Sequence, residues 1–539
     1  MKERQSRWSE WQLPAPAAES GWSVEAFTGE SAFYGANGIQ FGPDGRLYVA
    51  QAFANRVSAI DHDGNIESVI PIGSPITSPD DVAFDSSGRM YITDHFGGAV
   101  WLREVDGTLR LLYDDMPCAN GLTVYQDRAF VNEHREGGRL FEVFPDGAAP
   151  RLIADDLPSP NGMQVGPDGK IYFPAVMAGS IYRIGIDGTG LEKVLDGLAM
   201  PSAVKFDSNG VLHTTCFASG EIVSYHIKSE ERAVRATVPP GLDNLAFDKD
   251  DNLYVSSTIN GSVSRIDEPG VETSLVPPGF IWPSDVVVRD GELLAVDGTS
   301  IVSLGSTGER SLFGTFLDAG FPGVVRAAAD AGEGRLVVTT ITGDVVLYDD
   351  AAASGTNLAS GLAQPMGIAV HGSRAFVAES GTGKLLQVTF DGEVGVLLEQ
   401  LDIPTGVAVT ADGVVLVADA GSGRLHAHDA DGSRVLAEGL GTPMGVAVDG
   451  SDVFVLDVLG KQLVRIGLGD GQRQVVARNL PVGAPHESIE LRLRGSGIPM
   501  TSLDGCFAGI GLDSHRGLIY IAGGGDGTVL AVKRTNRTE

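Results

Sequence analysis

Short apolar runs alternate with polar turns along almost the whole chain. The first clear unit has the runs "NGIQF" and "LYVAQ" on either side of the turn "GPDGR", followed by "RVSAID" and "IESVIP" on either side of "HDGN". Runs of this length, bounded by Asp-Gly and Pro-Asp-Gly sequences, are typical of antiparallel β-strands joined by tight turns. Apolar residues at helical spacing are almost absent, so the pattern predicts an all-β protein.

The unit repeats with a period of about 41 residues. One residue near the start of the first run, which we call the marker residue, recurs every 41 residues from Asn120 to Ser284. Four short antiparallel strands per unit describe a propeller blade, and twelve blades are too many for one ring of ordinary size. The sequence therefore predicts two six-bladed β-propellers. The marker residues are, in chain order, Asn37, Asp80, Asn120, Asn161, Ser202, Asp243, Ser284, Gly323, Met366, Thr405, Met444 and Ala508.

These repeats suggest a division of the chain into an N-terminal segment (1–30), a first propeller that carries the site (31–279) and a second propeller (280–539). The last repeat has only three apolar runs, and "SVEAF" at 23–27 is a candidate for its missing outer strand, which would cover an open sheet edge. In an alternative division, the repeat at 502–539 returns to the first propeller and residues 241–480 form the second. Residues 481–501 would then be the returning linker.

Composition narrows the class of protein. With 70 acidic and 39 basic side chains the net charge is -31, which disfavours nucleic acid and anionic membranes as partners. Cys118, Cys216 and Cys506 are too few and too scattered for a disulfide framework. No apolar run reaches the length of a spanning helix, and the N-terminal residues do not resemble a signal peptide. We therefore expect a soluble cytoplasmic protein.

The marker residue is polar in each of the first six units, whereas "QPMGIAV" and "TPMGVAV" carry Met366 and Met444 at this position. Because first strands line the axis of a propeller, the polar side chains are expected in the mouth of the first channel. The alternative is that Asn161, in Pro-Asn-Gly, only makes a turn. However, Met366 and Met444 occupy the same Pro-X-Gly sequence, so the turn does not require Asn.

The ends of the second runs supply further candidates. Acids such as Asp94 and Asp419 occur there in both halves, which favours a structural role as acceptors of backbone N–H groups. His95 and His134 follow at equivalent places in adjacent units, where they could pair to bind metal or shuttle protons, or simply be exposed. We take Asp80, His95, Glu133 and His134 as catalytic candidates. An apolar rim suited to a small molecule is predicted from Phe53, Phe96, Arg135, Met177, Phe217 and Ile259.

The repeats "SPNGMQVGPDGKIYFPAVMAGSIYRIGIDGTG" and "GANGIQFGPDGRLYVAQ" resemble those of the gluconolactonase, regucalcin (senescence marker protein) and luciferin-regenerating superfamily. The resemblance is best from Gly35 to about Val276, and later repeats are similar to NHL repeats. It implies a six-bladed propeller that hydrolyses lactones with one divalent cation held on the axis by a Glu, two Asn and an Asp. Asn161 matches an axial Asn of that superfamily, whereas Ser202 and Asn37 stand where it has Asp and Glu.

Such a cation would be held here by the polar marker residues Asn37, Asp80, Asn120, Asn161 and Asp243. An all-oxygen set suits Ca²⁺, which we favour, or Mg²⁺. A histidine ligand would favour Zn²⁺, Mn²⁺ or iron.

Three functions follow from these patterns. The first is a metal-dependent hydrolase of a lactone or ester with an apolar or ring-containing body. The second is a metal-dependent lyase or isomerase acting beside a carbonyl, which resembles the streptogramin lyase branch of propellers. The third is a non-enzymatic scaffold of NHL type. The second propeller could serve as a homodimer contact.

Overall fold

The computed structural model describes residue 7 and residues 14–267, 270–316, 318–483 and 507–535. Over these residues the secondary structure consists of β-strands and turns without a helix, and hence without a helix that could cross a membrane. The named strands pair antiparallel in twelve sheets. The prediction of an all-β protein is confirmed, and the repeated four-stranded sheets are consistent with a propeller-type fold.

The described residues fall into two compact units, the first of which is Ala32–Gly279. It contains six four-stranded sheets, each made of four strands consecutive in the chain. In groups of four, the strands are β3 (Ile39–Phe41), β4 (Leu47–Gln51), β5 (Arg56–Ile60), β6 (Ile66–Ile70); β7 (Pro79–Phe84), β8 (Met90–Asp94), β9 (Ala99–Arg103), β10 (Leu109–Tyr113); β11 (Ala119–Tyr125), β12 (Arg128–Glu133), β13 (Glu136–Val143), β14 (Arg151–Pro158); β15 (Gln164–Val165), β16 (Lys170–Ala175), β17 (Ser180–Gly185), β18 (Glu192–Leu195); β19 (Pro201–Phe206), β20 (Leu212–Cys216), β21 (Glu221–His226), β22 (Glu231–Thr237); and β23 (Leu242–Phe247), β24 (Leu253–Ser257), β25 (Val263–Asp267), β26 (Val271–Val276).

The first strands of these sheets contact one another in chain order, and β23 contacts β3. A glycine after the marker residue permits the close approach. Gly38 N donates to Asp80 O at 2.7 Å, and a Cβ on Gly121 would lie 2.2 Å from Asn161 O. The six first strands therefore surround a common central space.

The second unit includes residues 14–31, 280–483 and 507–535. Its six sheets contain β1 (Ala17–Ala18), β2 (Trp22–Ala26); β27 (Pro283–Arg289), β28 (Glu292–Asp297), β29 (Ser300–Leu304), β30 (Arg310–Thr315); β31 (Val325–Gly332), β32 (Arg335–Thr340), β33 (Val345–Asp349), β34 (Ser354–Ala359); β35 (Pro365–His371), β36 (Arg374–Glu379), β37 (Lys384–Thr389), β38 (Val394–Leu398); β39 (Pro404–Val409), β40 (Val415–Asp419), β41 (Arg424–Asp429), β42 (Gly432–Glu438); β43 (Pro443–Asp449), β44 (Asp452–Asp457), β45 (Gln462–Gly467), β46 (Arg473–Arg478); and β47 (Ile510–Asp513), β48 (Leu518–Gly523), β49 (Thr528–Arg534).

Two sheets of this unit take a strand from the N-terminal part of the chain. β2 pairs with β49 and gives the last sheet its fourth strand, while β1 adds a fifth strand beside β46. Most of the expected linker (from residue 484 onward) and Cys506 lie outside the described residues.

The core lies between neighbouring sheets. One cluster joins Tyr91 and Val100 of the second sheet to Leu122 and Val131 of the third, and each is at most 1% exposed. Because both faces of a sheet are covered in this way, the whole of β4 is buried. The fourth strands are the more exposed ones, as β26 shows.

Carboxylates at the end of the second strand accept backbone N–H bonds from the loop before the first strand in both units, and Asp94 also accepts one from the loop after its own strand. Asp94 accepts backbone N–H bonds from Thr77, Ser78 and Gly97 at 2.9, 2.7 and 3.0 Å. In the second unit Asp419 accepts from Ile403 N at 2.7 Å. The structural role expected for these acids is confirmed.

Candidate functional site

Two carboxylic acids of the first unit lie at the start of first strands and interact with each other. Asp80 is 8% exposed, while Asp243 is partly exposed. Burial raises the pKa of Asp80 well above its usual value, and the charges of Asp243 and Asp81 raise it further. Burial and Asp81 also raise the pKa of Asp243 to about 7. The pair can therefore hold a proton at neutral pH.

Asp81 is an acid that the sequence analysis missed. Its Oδ1 accepts from Val82 N at 2.9 Å and its Oδ2 from Leu122 N at 3.1 Å, so the carboxylate links β7 to β11. Burial raises its pKa, and Lys205 lowers it. In the sequence it stands out as the one charged residue at its position: the other first-unit repeats have the uncharged residues Gly38, Gly121, Gly162, Ala203 and Asn244 after the marker residue.

Asp285 occupies the same position in the second unit and makes the same two kinds of bond. Its carboxylate accepts from Val286 N at 2.9 Å and from Ala328 N at 3.0 Å. The recurrence shows that an acid at this position braces neighbouring first strands.

Lys205 is a second residue that the sequence analysis missed. It lies on β19, three residues after Ser202, and is only 5% exposed. Burial lowers the pKa of its ammonium, and Asp81 opposes that shift. The site thus contains a buried amine as well as acids.

Two of the five predicted metal ligands use their side-chain oxygen for the backbone. Asn37 Oδ1 accepts from Ala52 N at 3.2 Å, and Asn161 Oδ1 accepts from Gly162 N at 2.7 Å. This favours the turn interpretation of Asn161. Asp80 and Asn120 are brought together, and Asp243 is coupled to Asp80 by charge.

The predicted cation stays a prediction, and the arrangement of these side chains gives two observations that bear on it. Over residues 14–267 and the other described ranges, no three His, Cys, Asp or Glu side chains form a group that could hold a metal ion. The acids of the site interact through charge, and two of the amide oxygens point to backbone N–H groups. We therefore derive no chemical step from a bound metal.

The two predicted histidines do approach each other. The ring centroids of His95 and His134 are 6.3 Å apart, and the rings are tilted by 43°. His95 Nδ1 is buried without a hydrogen-bond partner in the described part of the chain, whereas His134 Nδ1 lies 3.2 Å from Pro160 O. Burial and the neighbouring His134 lower the pKa of His95 to about 3, and burial lowers the pKa of His134. Burial thus favours the neutral form of both rings.

Glu133 and Arg135, both predicted site residues, form an ion pair with each other. Glu133 is fully buried, and its carboxylate pairs with Arg135 Nη2 at 2.7 Å and with the Arg139 guanidinium. A carboxylate held by two guanidinium groups is a structural element, which disfavours a role for Glu133 in proton transfer.

The predicted apolar rim is not one continuous surface. Phe53, Phe96 and Ile259 are 4%, 1% and 8% exposed, so they belong to the core, while Met177 is 67% exposed. Phe217 is partly exposed. Phe96 instead packs against His95, with ring centroids 5.1 Å apart. The loops after the second strands turn these aromatic side chains inward, which the sequence pattern does not specify.

No family model matches the sequence, and no curated protein is significantly similar to it. Among solved structures, the chain is similar to a streptogramin B lyase, with 18% identity, 52% of this chain and 96% of that chain covered, and a TM-score of 0.39. It is also similar to a catalytically inactive virginiamycin B lyase from Staphylococcus aureus with quinupristin, with 15% identity, coverage of 54% and 98%, and a TM-score of 0.38. A nidogen/laminin complex gives 18% identity, coverage of 43% and 93%, and a TM-score of 0.39. Similarities of this size indicate neither a reaction nor a ligand for this chain.

Proposed function

We propose that the chain forms two six-bladed propellers and that the first is an enzyme which transfers a proton beside the carbonyl group of a small molecule. The observation that carries the proposal is the interaction of Asp80 with Asp243. A carboxylic acid whose pKa lies near 7 is present in both its charged and its neutral form at neutral pH, so it can accept a proton and also donate one. The pKa of Asp243, about 7, lies in that range.

The two acids have different environments, which suggests different roles. Asp243 is the more exposed of the pair, so its carboxylate is the better placed to take a proton from the carbon beside the carbonyl. Asp80 carries the shared proton, because burial and two neighbouring carboxylates raise its pKa. The neighbouring Asn120 side chain opposes part of this rise in the pKa of Asp80.

Proton removal by Asp243 leaves an enolate on the substrate. If a leaving group is present on the next carbon, the electron pair expels it and Asp80 protonates it, which is an elimination. If none is present, return of the proton to another carbon gives an isomer. Both outcomes need only the two carboxyl groups, so the lyase or isomerase function is favoured over the metal-dependent hydrolase.

Hydrolysis of a lactone or ester is the second candidate, supported by the repeat-level resemblance of Gly35 to about Val276 to the gluconolactonase, regucalcin and luciferin-regenerating superfamily. In that reaction Asp243 would take a proton from water. It depends on a polarising group for the carbonyl, which was expected to be Ca²⁺. The scaffold function remains the alternative without chemistry.

The composition of the chain also suggests its partners and its location in the cell. The ligand is a small molecule, and neither nucleic acid nor a membrane is a partner, since the net charge is -31. We further propose that the protein is cytoplasmic and that it forms a homodimer through the second propeller.

Deuterium exchange tests the proposal without knowledge of the true substrate. The purified protein is incubated in D₂O with a panel of ketones, 2-oxo acids, lactones and esters, and NMR follows the C–H groups beside each carbonyl. We expect catalysed exchange, and Asp243→Asn should reduce it by about 10²–10⁴-fold, the usual contribution of a general base. Ring opening without exchange would favour the hydrolase, and neither reaction would favour the scaffold.

A matched control comes from the second unit. Burial raises the pKa of Asp526 to about 7, as it does for Asp243. Asp526→Asn makes the same chemical change far from the proposed site in the chain, so it should leave exchange unchanged. Equal losses in both variants would contradict a specific role for Asp243.

A further inference from the structure

Lys205 is set apart from the residues at the same position of the other first strands. The corresponding residues three places after each marker residue are neutral: Gln40, Ala83, Thr123, Gln164 and Ala246. The central space of the first unit therefore has one amine at this level. A lone basic side chain in an otherwise neutral ring is not explained by the repeat.

The surroundings of Lys205 place its side chain toward that central space. Its carboxylate neighbour is Asp81, which lies on β7 of the second sheet, whereas Lys205 lies on β19 of the fifth. Two sheets separate these strands in either direction around the ring of contacts. An interaction between them runs across the space that the first strands surround.

Lys205 has no direct partner that would account for it as a structural residue. In the described ranges its Nζ takes part in neither a hydrogen bond nor an ion pair, and the two oxygens of Asp81 accept backbone N–H bonds from Val82 and Leu122. A buried ammonium without hydrogen bonds is unfavourable, so burial favours the neutral amine. A neutral amine is a nucleophile, and desolvated lysines of this kind form Schiff bases with carbonyl compounds.

We propose that Lys205 Nζ is the covalent nucleophile of the first unit and that its substrate is an aldehyde or ketone. This inference rests on the proposed function and narrows its substrate class, since an ester or lactone would acylate the amine instead. It also supplies the electron-withdrawing group for which the sequence analysis expected a cation.

The covalent steps balance with water as the only co-reactant. The Nζ lone pair adds to the carbonyl carbon, and a proton passes from nitrogen to the former carbonyl oxygen. Loss of that oxygen as water, with one further proton, gives a protonated imine. The imine accepts the electron pair released when Asp243 removes the neighbouring C–H proton, which forms an enamine. After elimination or reprotonation, water adds to the imine carbon and releases the product and the free amine.

Reductive trapping tests the amine independently of turnover. The intact full-length protein is incubated at pH 7 with glycolaldehyde or pyruvate and sodium cyanoborohydride, and peptide mass mapping measures the modified fraction of each lysine. We expect Lys205 to be modified at least about tenfold faster than Lys249, whose ammonium is exposed and charged. Lys249 is the internal reference because its pKa is raised by its pairing with Asp250.

The outcomes separate this inference from the proposed function. Modification of Lys205 supports the inference even if no turnover is found. Modification of Lys249 with Lys205 unmodified overturns it, and this result uses the unaltered protein, so misfolding of a variant cannot produce it.

Two variants supply a further arm. Lys205→Arg and Lys205→Met should each lose deuterium exchange of ketones, while Lys249→Met should retain it. If Lys205→Arg retains deuterium exchange and Asp243→Asn loses it, Lys205 is not the nucleophile. The proposed acid–base function of Asp243 would still hold.

Discussion

Asp243→Asn should stabilise the protein at high pH and have little effect at low pH. In the folded protein the pKa of Asp243 is about 7, because burial and Asp81 raise it from 3.8. The unfolded chain therefore releases the proton near pH 4 and the folded protein near pH 7. Between these values the folded state loses stability as the pH rises, and above pH 7 the whole cost is present.

The size of this cost follows from the shift. Each pKa unit corresponds to about 1.4 kcal/mol, so the shift sets a ceiling of about 4 kcal/mol on the cost of ionised Asp243. Because the side chain is partly exposed, water lowers the cost, and we expect about 1–2 kcal/mol. For a unit of this size that amounts to an increase in Tm of about 2–8 °C at pH 8 in Asp243→Asn. At pH 4.5 the two proteins should unfold together.

Thermal unfolding followed by circular dichroism and differential scanning calorimetry at both pH values measures the effect, with the two units treated as separate transitions. Asp248→Asn is the matched control, five residues further along the same hairpin. Hydrogen bonds from Asn252 and Tyr254 outweigh burial and lower the pKa of Asp248, so its replacement should destabilise the protein at pH 8. Equal or reversed effects of the two variants would refute the reasoning from burial.

Three further predictions concern packing, the loop carboxylates and the histidine pair. Gly121→Ala should destabilise the first unit by about 2 kcal/mol or more, because the new Cβ would lie 2.2 Å from Asn161 O. Gly395→Ala, where a Cβ meets nothing within 4 Å, should change urea unfolding little, and similar losses in both would contradict the close-approach explanation. Asp94→Ala should cost about 3 kcal/mol or more in urea unfolding, since it leaves three loop N–H groups unpaired; a loss under 1 kcal/mol would show that water replaces the carboxylate. Because the pKa of His95 is about 3, the unfolded chain binds a proton below about pH 6.5 that the folded protein does not, so stability falls as the pH is lowered. His95→Gln should remove about 2 kcal/mol of that fall between pH 7.5 and 5, and an unchanged pH dependence would show that His95 is protonated in the folded state.

The all-β fold was predictable from the sequence because its signals are local and repeated. Each Asp-Gly turn indicates one hairpin. Because the same pattern recurs in many repeats, a wrong interpretation of one turn does not change the predicted fold. The role of Asp94 and Asp419 was predictable for the same reason, since an acid that recurs at the end of the second strand in both halves must serve the repeat itself.

The site was less predictable because its residues depart from the repeat singly. Asp81 and Lys205 each occupy a position that is small or neutral in most other units, and nothing local indicates that they interact across the central space. The burial of the predicted rim residues was hard to predict for a different reason: whether Phe96 faces solvent or the core depends on how the loop turns after the second strand. The sequence is compatible with Asn161 both as a metal ligand and as a turn residue. The hydrogen bond that its Oδ1 accepts from Gly162 N favours the turn.

The pairing of β2 with β49 means that the second unit needs strands from both ends of the given sequence before it can fold completely, whereas the first unit does not. Ser23 and Lys533 meet in that sheet although they are 510 residues apart, whereas all strands of the first unit come from one uninterrupted stretch. During synthesis from the N-terminal end, the first unit can finish folding while β2 waits for a partner that has not yet been made. Its long-range closure makes the second unit the later one to mature and the more exposed to aggregation on the ribosome.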